Sequence, residues 1–336
     1  VTMQWVYYKS MHLKLAQKNF LSMAKINSLP NFEYGMIWED IMSGHRVGCL
    51  DVSRKDDVEK LMKSKRAVLA VQDPPYNVAI NDEFGNIPLD QYMNWSEKWV
   101  DNTLAILQSN SSFYVWLGAD VRSGLQPLPD FILMMRNKPM KIRSFITMRN
   151  QRGYGTQKNW MAIRQELLYY IKGEPIFDVQ AEYTDIPKKT KGYYKKVNGE
   201  MTENFERSKS LTIRAGNVWH DIQQVFYLMH ENIEGCFAQK PLKSAKRIIE
   251  ASSKVGDLVV DFFGHSGSTL LQAELSKRKC YTMDINPNCC KIMVARLLHR
   301  RRTGETGWGR LKILKDGQIL VSDEELLGAP TLLDLP

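Results

Sequence analysis

The sequence predicts an α/β fold with a doubly wound, mostly parallel sheet and an inserted basic region. Two short, uninterrupted apolar runs, at residues 67–72 and 258–263, are typical of strands that are buried on both faces of a parallel sheet. A helical pattern follows each run, over residues 89–107 and 268–276. Strands that alternate with helices in this way are typical of a parallel sheet covered by helices.

The remaining elements are predicted in chain order from periodicity and from helix signals. Helical spacing predicts a first helix over residues 1–27 that stops at Pro30, and a second helix over residues 56–64. Between the two apolar runs we expect strands at residues 112–117, 141–148 and 166–172 and a helix at residues 130–136. From residue 173 to residue 216 the hydrophobic periodicity is lost.

The last third of the chain carries clear helix and hairpin signals. Pro241 fits the first turn of a helix whose apolar residues share one face: Leu242, Ala245, Ile248 and Ile249. A strand is expected at residues 280–285, and Asn286 and Pro287 begin a helix that ends in H-R-R-R-T-G, whose positive charge suits a helix C-terminus. Asp316-Gly317 between two apolar runs predicts a hairpin. Ser322 and Glu325 have capping-box spacing for a short final helix.

The composition is that of an ordinary soluble protein with room for one large core and an insertion, or for two domains. No apolar run reaches the roughly 18 residues that a membrane helix needs, so no membrane association is expected. The first residues, V-T-M-Q-W-V-Y-Y-K-S, do not have the pattern of a signal peptide.

The cysteines and histidines do not indicate a metal site. The five cysteines are odd in number and include no C-x-x-C, and the six histidines form no ligand spacing with them. Neither a disulfide framework nor a zinc site is therefore predicted, and no metal is expected. A reducing cytoplasm is the simplest location for such a chain.

The net charge of +9 is unevenly distributed. Residues 136–214 hold 17 Lys and Arg against 8 Asp and Glu, whereas the rest of the chain holds 29 of each kind. A concentrated basic region is the electrostatic footprint expected of a protein that binds phosphates. A solvated, flexible face is the other interpretation of such lysine runs.

The first candidate site is the segment D-P-P-Y, residues 73–76. Asp73 follows a predicted strand at its carboxyl end, where open α/β sheets bind their ligands. Pro74 and Pro75 fix two φ angles and remove two donors, so the chain stiffens while backbone carbonyls remain able to accept. With the flat ring of Tyr76, these groups suit a planar base that carries an exocyclic amine. A simple strand-ending turn is the alternative interpretation.

The second candidate site lies in residues 258–284. The small-residue loop Gly264 to Gly267 precedes the helix at 268–276, and its glycines let the backbone come close to a ligand at the helix N-terminus. Asp284 lies about 20 residues beyond this loop, which is the spacing that presents a carboxylate to ribose hydroxyls. The loop lacks the G-x-G-x-x-G pattern, which argues against a nicotinamide cofactor.

Together the two segments resemble the S-adenosylmethionine-dependent amino-methyltransferases that act on DNA bases. D-P-P-Y is similar to their catalytic tetrapeptide, and D-F-F-G-H-S-G-S is similar to their cofactor loop, usually written D-x-F-x-G-S-G-T. The order of the two motifs is that of the β class, in which a target-recognition region lies between them. The resemblance covers most of residues 34–298 and implies a Rossmann-like methyltransferase fold.

This resemblance implies a set of catalytic and cofactor-binding residues. The catalytic residues would be Asp73, Pro74, Pro75 and Tyr76. The residues that bind S-adenosylmethionine would be Asp40, Asp73, Gln239, Lys240, Pro241, Asp261, Phe263, Gly264, His265, Ser266, Gly267, Ser268, Asp284 and Asn286. Asp40 would contact the adenine of the cofactor, and the Q-K-P segment would line its methionine end. His265 departs from the family pattern, since it stands where the first loop glycine is expected.

The resemblance also implies a DNA-binding surface. Its members would be Arg149, Arg152, Tyr154, Lys158 and Trp160 in a basic loop, and Lys188, Lys189, Lys191, Tyr193, Tyr194, Lys195 and Lys196 in the basic insertion. Lysines around paired aromatic residues suit a groove that follows phosphates and stacks on bases or sugars. A disordered surface insertion is the alternative for the second group. The domains expected are an N-terminal helical extension (1–33), a catalytic domain (34–172 and 217–302), a target-recognition insertion (173–216) and a C-terminal hairpin with a short helix (303–336).

The function implied is site-specific methyl transfer from S-adenosylmethionine to the 6-amino group of a flipped adenine in DNA. Within the family, Asp at the first position of the tetrapeptide accompanies adenine and Ser accompanies cytosine, so adenine is favoured. The alternatives are a cytosine 4-amino methyltransferase, an inactive DNA-binding module in which His265 blocks the cofactor, and a methyltransferase of RNA or protein amines. The partners considered are DNA, a cognate restriction endonuclease and a second copy of the chain.

Overall fold

The fold is described here from a computed structural model. It describes residues 29–76, 87–118, 127–154, 160, 162–188, 195–202, 210–226, 229–233, 236, 238–308, 314–315 and 318–319. The helices predicted over residues 1–27 and from Ser322 lie outside the described residues.

A nine-stranded sheet forms the centre of the protein. In spatial order its strands are β1 (Ile37–Glu39), β2 (Arg46–Cys49), β13 (Lys279–Asp284), β12 (Leu258–Asp261), β3 (Ala67–Gln72), β4 (Leu107–Leu117), β6 (Ala162–Lys172), β5 (Lys141–Tyr154) and β11 (Val218–Trp219). The strands from β2 to β4 run parallel to one another, as do β5 and β11. Antiparallel pairing is confined to β1 with β2 and to β6 with its two neighbours. The predicted α/β fold with a mostly parallel sheet is confirmed.

Helices cover both faces of this sheet. Those in the described part of the chain are α1 (Lys55–Met62), α2 (Leu89–Ala105), α3 (Pro127–Met135), α4 (Leu242–Ser252), α5 (Ser268–Leu275) and α6 (Pro287–Thr303). Leu69 and Val71 of β3 belong to one core with α4, α5 and α6, whereas Ala70 belongs to a second core with α1, α2 and α3. Successive residues of a strand point to opposite faces, so a strand buried on both faces has to be apolar throughout.

The two apolar runs recognised in the sequence are adjacent strands of the sheet. β3 and β12 pair in parallel, with Val260 opposite Ala70. From β3 the chain passes through α2 to β4 on one side, and from β12 it passes through α5 to β13 on the other side. Such a reversal of strand order opens a crevice at the carboxyl ends of the strands. The crevice lies between Asp73 and the loop at residues 264–267.

The helices α4 and α6 confirm the signals that predicted them. The predicted apolar face of α4 is buried, and Ile249 is fully inaccessible. The Asn286 side chain accepts a hydrogen bond from the N–H of Asn288 and so caps α6. Gly304 adopts the left-handed conformation at the C-terminus of α6, where a side chain would be strained.

The basic insertion contributes no strand to the central sheet among its described residues. A 3-10 helix (Val179–Glu182) precedes β7 (Tyr183–Pro187), which pairs with β10 (Thr212–Arg214), while β8 (Lys195–Val197) pairs with β9 (Glu200–Thr202). The predicted C-terminal hairpin is confirmed by the pairing of β14 (Leu314–Lys315) with β15 (Gln318–Ile319). The domain boundaries themselves stay a prediction.

Among the helices that the structure describes, none has the length and the apolar character needed to cross a bilayer.

Candidate active site

One pocket at the carboxyl edge of the sheet joins the two motifs. Its lining residues come from the end of β3 and Asp73 after it, from β4, the Q-K-P segment, α4, the end of β12, the loop after β12 and the start of α5: Val71, Asp73, Trp116, Lys240, Ser244, Ala245, Ile248, Asp261, Phe263, Gly264, His265, Ser266, Ser268 and Thr269. Asp73 and the loop that begins at Gly264 are 191 residues apart in the chain and face the same space.

The Asp73 carboxylate is held by two side chains. The Tyr76 hydroxyl donates to Asp73 Oδ1 at 2.8 Å. The Lys240 ammonium lies 2.9 Å from Oδ1 and 2.7 Å from Oδ2. The tetrapeptide is further fixed by Tyr92 of α2, whose hydroxyl donates to the Pro75 carbonyl at 2.7 Å. The carboxylate therefore has a defined orientation at the end of β3.

Lys240 is tied to the glycine loop as well as to Asp73. Its backbone carbonyl accepts a hydrogen bond of 2.8 Å from the Ser268 hydroxyl, at the start of α5. Its ammonium group lies 5.3 Å from the ring centroid of Tyr76 and 5.4 Å from that of Trp116, within the range of cation–π attraction. The side chain is only 11% exposed. Lys240 is thus the physical link between the two motifs.

The loop after β12 needs its small residues for packing. A Cβ on Gly264 would overlap Met293 Sδ of α6 and would come within 2.5 Å of Thr282 Oγ1. Gly267 has a φ of +75° and precedes the first residue of α5. His265, at the position where a glycine was expected, also has a positive φ, of 42°. For a histidine this is an uncommon conformation.

Asp284 holds the loop from the neighbouring strand. Its carboxylate accepts from the backbone N–H of His265 at 2.9 Å and from that of Asn286 at 2.9 Å. Burial raises the pKa of Asp284, and these backbone hydrogen bonds oppose the shift. His265 has a side chain and a positive φ, and the hydrogen bond from its N–H to Asp284 stabilises this conformation.

Asp261 is buried at the end of β12. Its carboxylate accepts from the N–H of Phe263 at 3.0 Å and from the side chain of Thr269. Burial raises the pKa of Asp261 to about 7, because these two hydrogen bonds offset the loss of hydration only in part. The negative charges of Asp73 and Asp284 add to the increase.

A buried arginine supports the loop from behind. Arg296 of α6 is inaccessible, and its guanidinium donates to the Ser266 carbonyl at 2.8 Å, the Ser268 hydroxyl at 3.2 Å and the Glu231 carbonyl at 3.0 Å. The carboxylate of Glu231 accepts from the N–H of Leu242 and so caps α4. Arg296 therefore ties the glycine loop to the segment that carries Lys240.

Gln72 connects the two strands directly. Its side-chain oxygen accepts from the N–H of Phe262 at 2.9 Å, and the residue is fully buried. Gln72, Tyr92, Trp116 and Arg296 were not predicted from the sequence. Of these four, Gln72 has a signal in the sequence, since a polar residue at the end of a buried apolar strand needs a hydrogen-bond partner.

Asp40 is a correction. The sequence placed it with the cofactor, but β1 runs antiparallel to β2, with Glu39 opposite Arg46. Because β2 is parallel to β13, Arg46 lies at the amino end of the sheet, and Cys49, opposite Asp284, lies at the carboxyl end. The Asp40 carboxylate is instead paired with Arg301 at 2.8 Å, which helps to lower its pKa to about 2 against the effect of burial.

Gln239 and Asn286 have partners within the protein. The Gln239 amide donates to the Glu231 carbonyl at 2.7 Å and accepts from the N–H of Ile233 at 3.1 Å, so both of its ends are used within the protein. The Asn286 oxygen caps α6. Pro241 is the residue that precedes α4. The pocket lining includes neither these three residues nor Gly267 and Asp284, so their contact with the cofactor stays a prediction.

The predicted DNA-binding residues are only partly described. Residues 149–154, expected in a loop, continue β5 to Tyr154, because they pair with β6 with a register shift. Trp160 is 93% exposed, and Arg149 and Lys196 are exposed, whereas Lys188 is half-buried. For Arg152, Tyr154 and Lys195 only the backbone, within β5 and β8, is described. Outside the described residues lie Lys158, Lys189, Lys191, Tyr193 and Tyr194.

Within the described residues, no cluster of three or more His, Cys, Asp or Glu side chains is arranged to hold a metal ion.

Comparison with known families gives a match over most of the chain. A family model described as DNA methylase, of the N6 and N4 methyltransferases, matches residues 68–295. The matched range contains both D-P-P-Y and the loop after β12.

Individual relatives are more distant. The Type II methyltransferase M.BamHI of Bacillus amyloliquefaciens is 24% identical over 293 residues, which cover 85% of this chain and 64% of that protein. The DNA adenine methyltransferase YhdJ of Escherichia coli (strain K12) is 28% identical over 242 residues, which cover 71% of this chain and 78% of that protein. The chain thus spans a little under two thirds of the length of M.BamHI.

Among solved structures, the PvuII DNA methyltransferase (cytosine-N4-specific) has the same fold. It superposes with a TM-score of 0.52 at 17% sequence identity, over 80% of this chain and 86% of that one. At this level of identity the likeness concerns the fold alone.

Proposed function

This chain belongs to the DNA methylase family of N6 and N4 methyltransferases, whose methyl donor is S-adenosylmethionine, and we propose that it methylates the 6-amino group of a flipped adenine. The observation that carries the proposal is the position of Asp73, which shares one pocket with the Gly264–Ser268 loop. An acceptor for the target amine and a loop suited to the methyl donor are thus on the same side of the sheet.

The charged residues of the pocket suit S-adenosylmethionine, which carries both cationic groups and a carboxylate. Gly264 lines the pocket, and the Gly264–Ser268 loop would lie against the donor there, while the side without a Cβ at Gly264 packs on Met293 of α6. Asp284 would accept from ribose hydroxyls. Asp73 and Asp261 present carboxylates to the cationic end of the donor. When bound, S-adenosylmethionine supplies an electrophilic methyl group on its sulfonium.

Asp73 and Pro74 would activate the amine of the target. The lone pair of an exocyclic amine is delocalised into the base, so the neutral amine is a poor nucleophile. Hydrogen bonds from the amine to the Asp73 carboxylate and the Pro74 carbonyl would localise the lone pair on nitrogen and orient it. Tyr92 already engages the Pro75 carbonyl. Within the described residues no hydrogen bond uses the Pro74 carbonyl.

Tyr76 would contribute the stacking surface for the extruded base. Its ring lies next to Gly118, where a Cβ would approach Tyr76 Cδ2 to 3.2 Å. The hydroxyl donates to Asp73, which fixes the direction in which the ring points. Extrusion of a base costs a few kcal/mol, which stacking and the hydrogen bonds to the amine would offset.

Adenine is preferred to cytosine as the target because of Asp73. The first position of the tetrapeptide is Asp, which the family associates with adenine. Both kinds of enzyme occur among the similar proteins, since YhdJ is named an adenine methyltransferase and the PvuII enzyme is cytosine-N4-specific. A restriction endonuclease as partner stays a prediction, and the Type II name of M.BamHI favours it.

The identity of the product tests this proposal. The protein would be incubated with methyl-labelled S-adenosylmethionine and unmethylated genomic DNA, and the DNA would then be digested to nucleosides. We expect the label in N6-methyl-2′-deoxyadenosine. Label in N4-methylcytosine would overturn the base assignment, and unlabelled DNA would overturn the proposed function. Equilibrium binding of S-adenosylmethionine would separate an inactive module, blocked by His265, from an enzyme.

The affinity for S-adenosylmethionine is expected to increase with pH up to about 7. Below that pH the Asp261 carboxyl is protonated in the free protein, because burial raises its pKa to about 7. A cationic ligand favours the ionised form, so binding at pH 6 has to release a proton. The affinity should change by up to about tenfold per pH unit below 7 and level off above it.

Calorimetry in buffers of different ionisation enthalpy measures this proton release. We expect release of close to one proton at pH 6 and much less at pH 8, after correction for the amino group of the ligand itself. In Asp261→Asn the additional release at pH 6 should disappear. Equal proton release by the variant and the natural protein would contradict the assignment of Asp261.

Trp160 is expected to contribute to DNA affinity. Its ring is 93% exposed beside the start of β6, and an exposed aromatic ring is a surface on which a base or sugar can stack. Trp160→Ala should weaken DNA binding by about 5-fold to 150-fold, the range for loss of one stacking contact. The affinity for S-adenosylmethionine should not change. Fluorescence anisotropy with labelled duplex DNA measures the effect.

Val255→Ala is the control for Trp160→Ala. Val255 is 66% exposed and precedes β12, so it lies at the amino ends of the parallel strands, whereas Trp160 lies near their carboxyl ends. If both variants bind DNA like the natural protein, Trp160 is not part of the DNA-binding surface.

A further inference from the structure

The acceptor that the proposed mechanism needs is already engaged. The Lys240 ammonium contacts both oxygens of Asp73, at 2.9 and 2.7 Å. A carboxylate paired in this way is a weaker acceptor for another N–H donor, because an ammonium group already neutralises it. The target amine and Lys240 therefore compete for the same two oxygens.

The described lining of the pocket contains two carboxylates and one lysine. The carboxylates are those of Asp73 and Asp261, and Lys240 is the one Lys or Arg side chain among the described lining residues. Arg296 lies behind the loop, and its guanidinium is engaged by Ser266, Ser268, Glu231 and Thr306. S-adenosylmethionine carries a carboxylate as well as its cationic groups. Within this pocket, Lys240 is the cation available to that carboxylate.

We propose that Lys240 exchanges partners when the methyl donor binds, from the carboxylate of Asp73 to the carboxylate of the donor. The inference rests on the proposed function and adds a coupling between the two ligands. Binding of the donor frees Asp73 for the target amine, so the enzyme binds its target base more tightly after it has bound the donor.

The geometry allows this exchange without movement of the backbone. The Lys240 backbone is fixed through its carbonyl, which accepts from the Ser268 hydroxyl, and through the start of α4. The four-carbon stem of a lysine turns about several bonds. The ring centroids of Tyr76 and Trp116 lie 5.3 and 5.4 Å from the ammonium group, and both rings favour a cation in this part of the pocket.

The coupling has to be reciprocal, so it is measurable from either ligand. S-adenosylhomocysteine keeps the carboxylate of the donor and transfers no methyl group. Its decarboxylated analogue keeps the amine and loses only the carboxylate. The protein would be saturated with each of these compounds in turn, and its affinity for DNA would be measured by fluorescence anisotropy. The duplex would contain the sequence that the enzyme methylates.

For the natural protein we expect S-adenosylhomocysteine to tighten DNA binding about tenfold, a typical coupling between two ligands, and the decarboxylated analogue to leave it unchanged. Lys240→Met should bind DNA without any cofactor as tightly as the natural protein does with S-adenosylhomocysteine. The same variant should bind S-adenosylhomocysteine at least about tenfold more weakly, with no change for the decarboxylated analogue.

Lys240→Arg is the matched variant, and it also serves if Lys240→Met does not fold. It retains a cation, so its binding of S-adenosylhomocysteine should still depend on the ligand carboxylate. Equal DNA affinity of the natural protein with both compounds would overturn the exchange. So would an undiminished coupling in Lys240→Met. Failure of the proposed function is distinguishable, since the natural protein would then methylate no DNA.

Discussion

Asp73→Ala is expected to abolish detectable methyl transfer while the protein still binds S-adenosylmethionine. The variant loses the acceptor that localises the amine lone pair, and one preorganised hydrogen-bonding group of this kind contributes about 2–4 kcal/mol, or about 30-fold to 900-fold in rate. The other groups proposed to hold the donor remain, because Asp261, Asp284 and the Gly264–Ser268 loop keep their own hydrogen bonds. Single-turnover methylation and equilibrium binding would be measured on one preparation.

Asp101→Ala provides the control for Asp73→Ala. Asp101 is a surface residue of α2 that pairs with Lys138, away from the pocket. Its replacement should leave both the rate and the cofactor affinity close to those of the natural protein. Near-normal methylation by Asp73→Ala would refute the assignment of Asp73.

Asp284→Ala is expected to weaken binding of S-adenosylmethionine by about 30-fold or more. Two effects add: the variant loses the proposed acceptor for the ribose hydroxyls, and it loses the acceptor for the N–H groups of His265 and Asn286. Each buried group left unsatisfied costs about 1–3 kcal/mol. Because His265 has a positive φ, its loop segment is the part most dependent on this carboxylate.

Asp284→Asn separates the two effects. The amide oxygen can still accept from one backbone N–H, so the loop should be better preserved and the loss of affinity smaller than in Asp284→Ala. Unchanged affinity in Asp284→Ala, measured by calorimetry, would count against the role of Asp284. In steady-state kinetics we expect a higher KM for S-adenosylmethionine. The value of kcat, reached at saturating S-adenosylmethionine, should change little.

The parts of the site that could be predicted from the sequence are those set by local pattern. The runs at residues 67–72 and 258–263 are apolar because both faces of the sheet are covered, so their strand character was readable. Asp73 follows the first of these runs directly, and Asp284 is the last residue of β13. Since parallel strands present their carboxyl ends at one edge, the meeting of the two motifs followed from topology.

Asp40 shows where this reasoning fails. A short strand followed by an acid has the same pattern in either direction, and nothing in I-W-E-D indicates that β1 is antiparallel to β2. The direction is set by the tight turn at residues 40–45, where the Asp40 N–H bonds the His45 carbonyl at 2.8 Å. This turn reverses the chain and places Asp40 at the amino edge of the sheet.

Contacts between distant residues were not readable for a different reason. The pair of Lys240 with Asp73 spans 167 residues, and the sequence indicated only that Lys240 belongs near the cofactor. Arg296 resembled any basic residue of an amphipathic helix. Its burial depends on the carbonyls of the glycine loop, which turn towards α6 only in the folded protein.

The central claim is that the Asp73 loop and the Gly264–Ser268 loop form one site for one pair of reactants. A crystal structure of the protein with sinefungin, an unreactive analogue of the donor, tests it most directly. We predict that sinefungin contacts Asp284 and the Gly264–Ser268 loop and that its amine, in place of the transferable methyl, faces Asp73. Sinefungin bound in a cleft that excludes Asp73 would contradict the account.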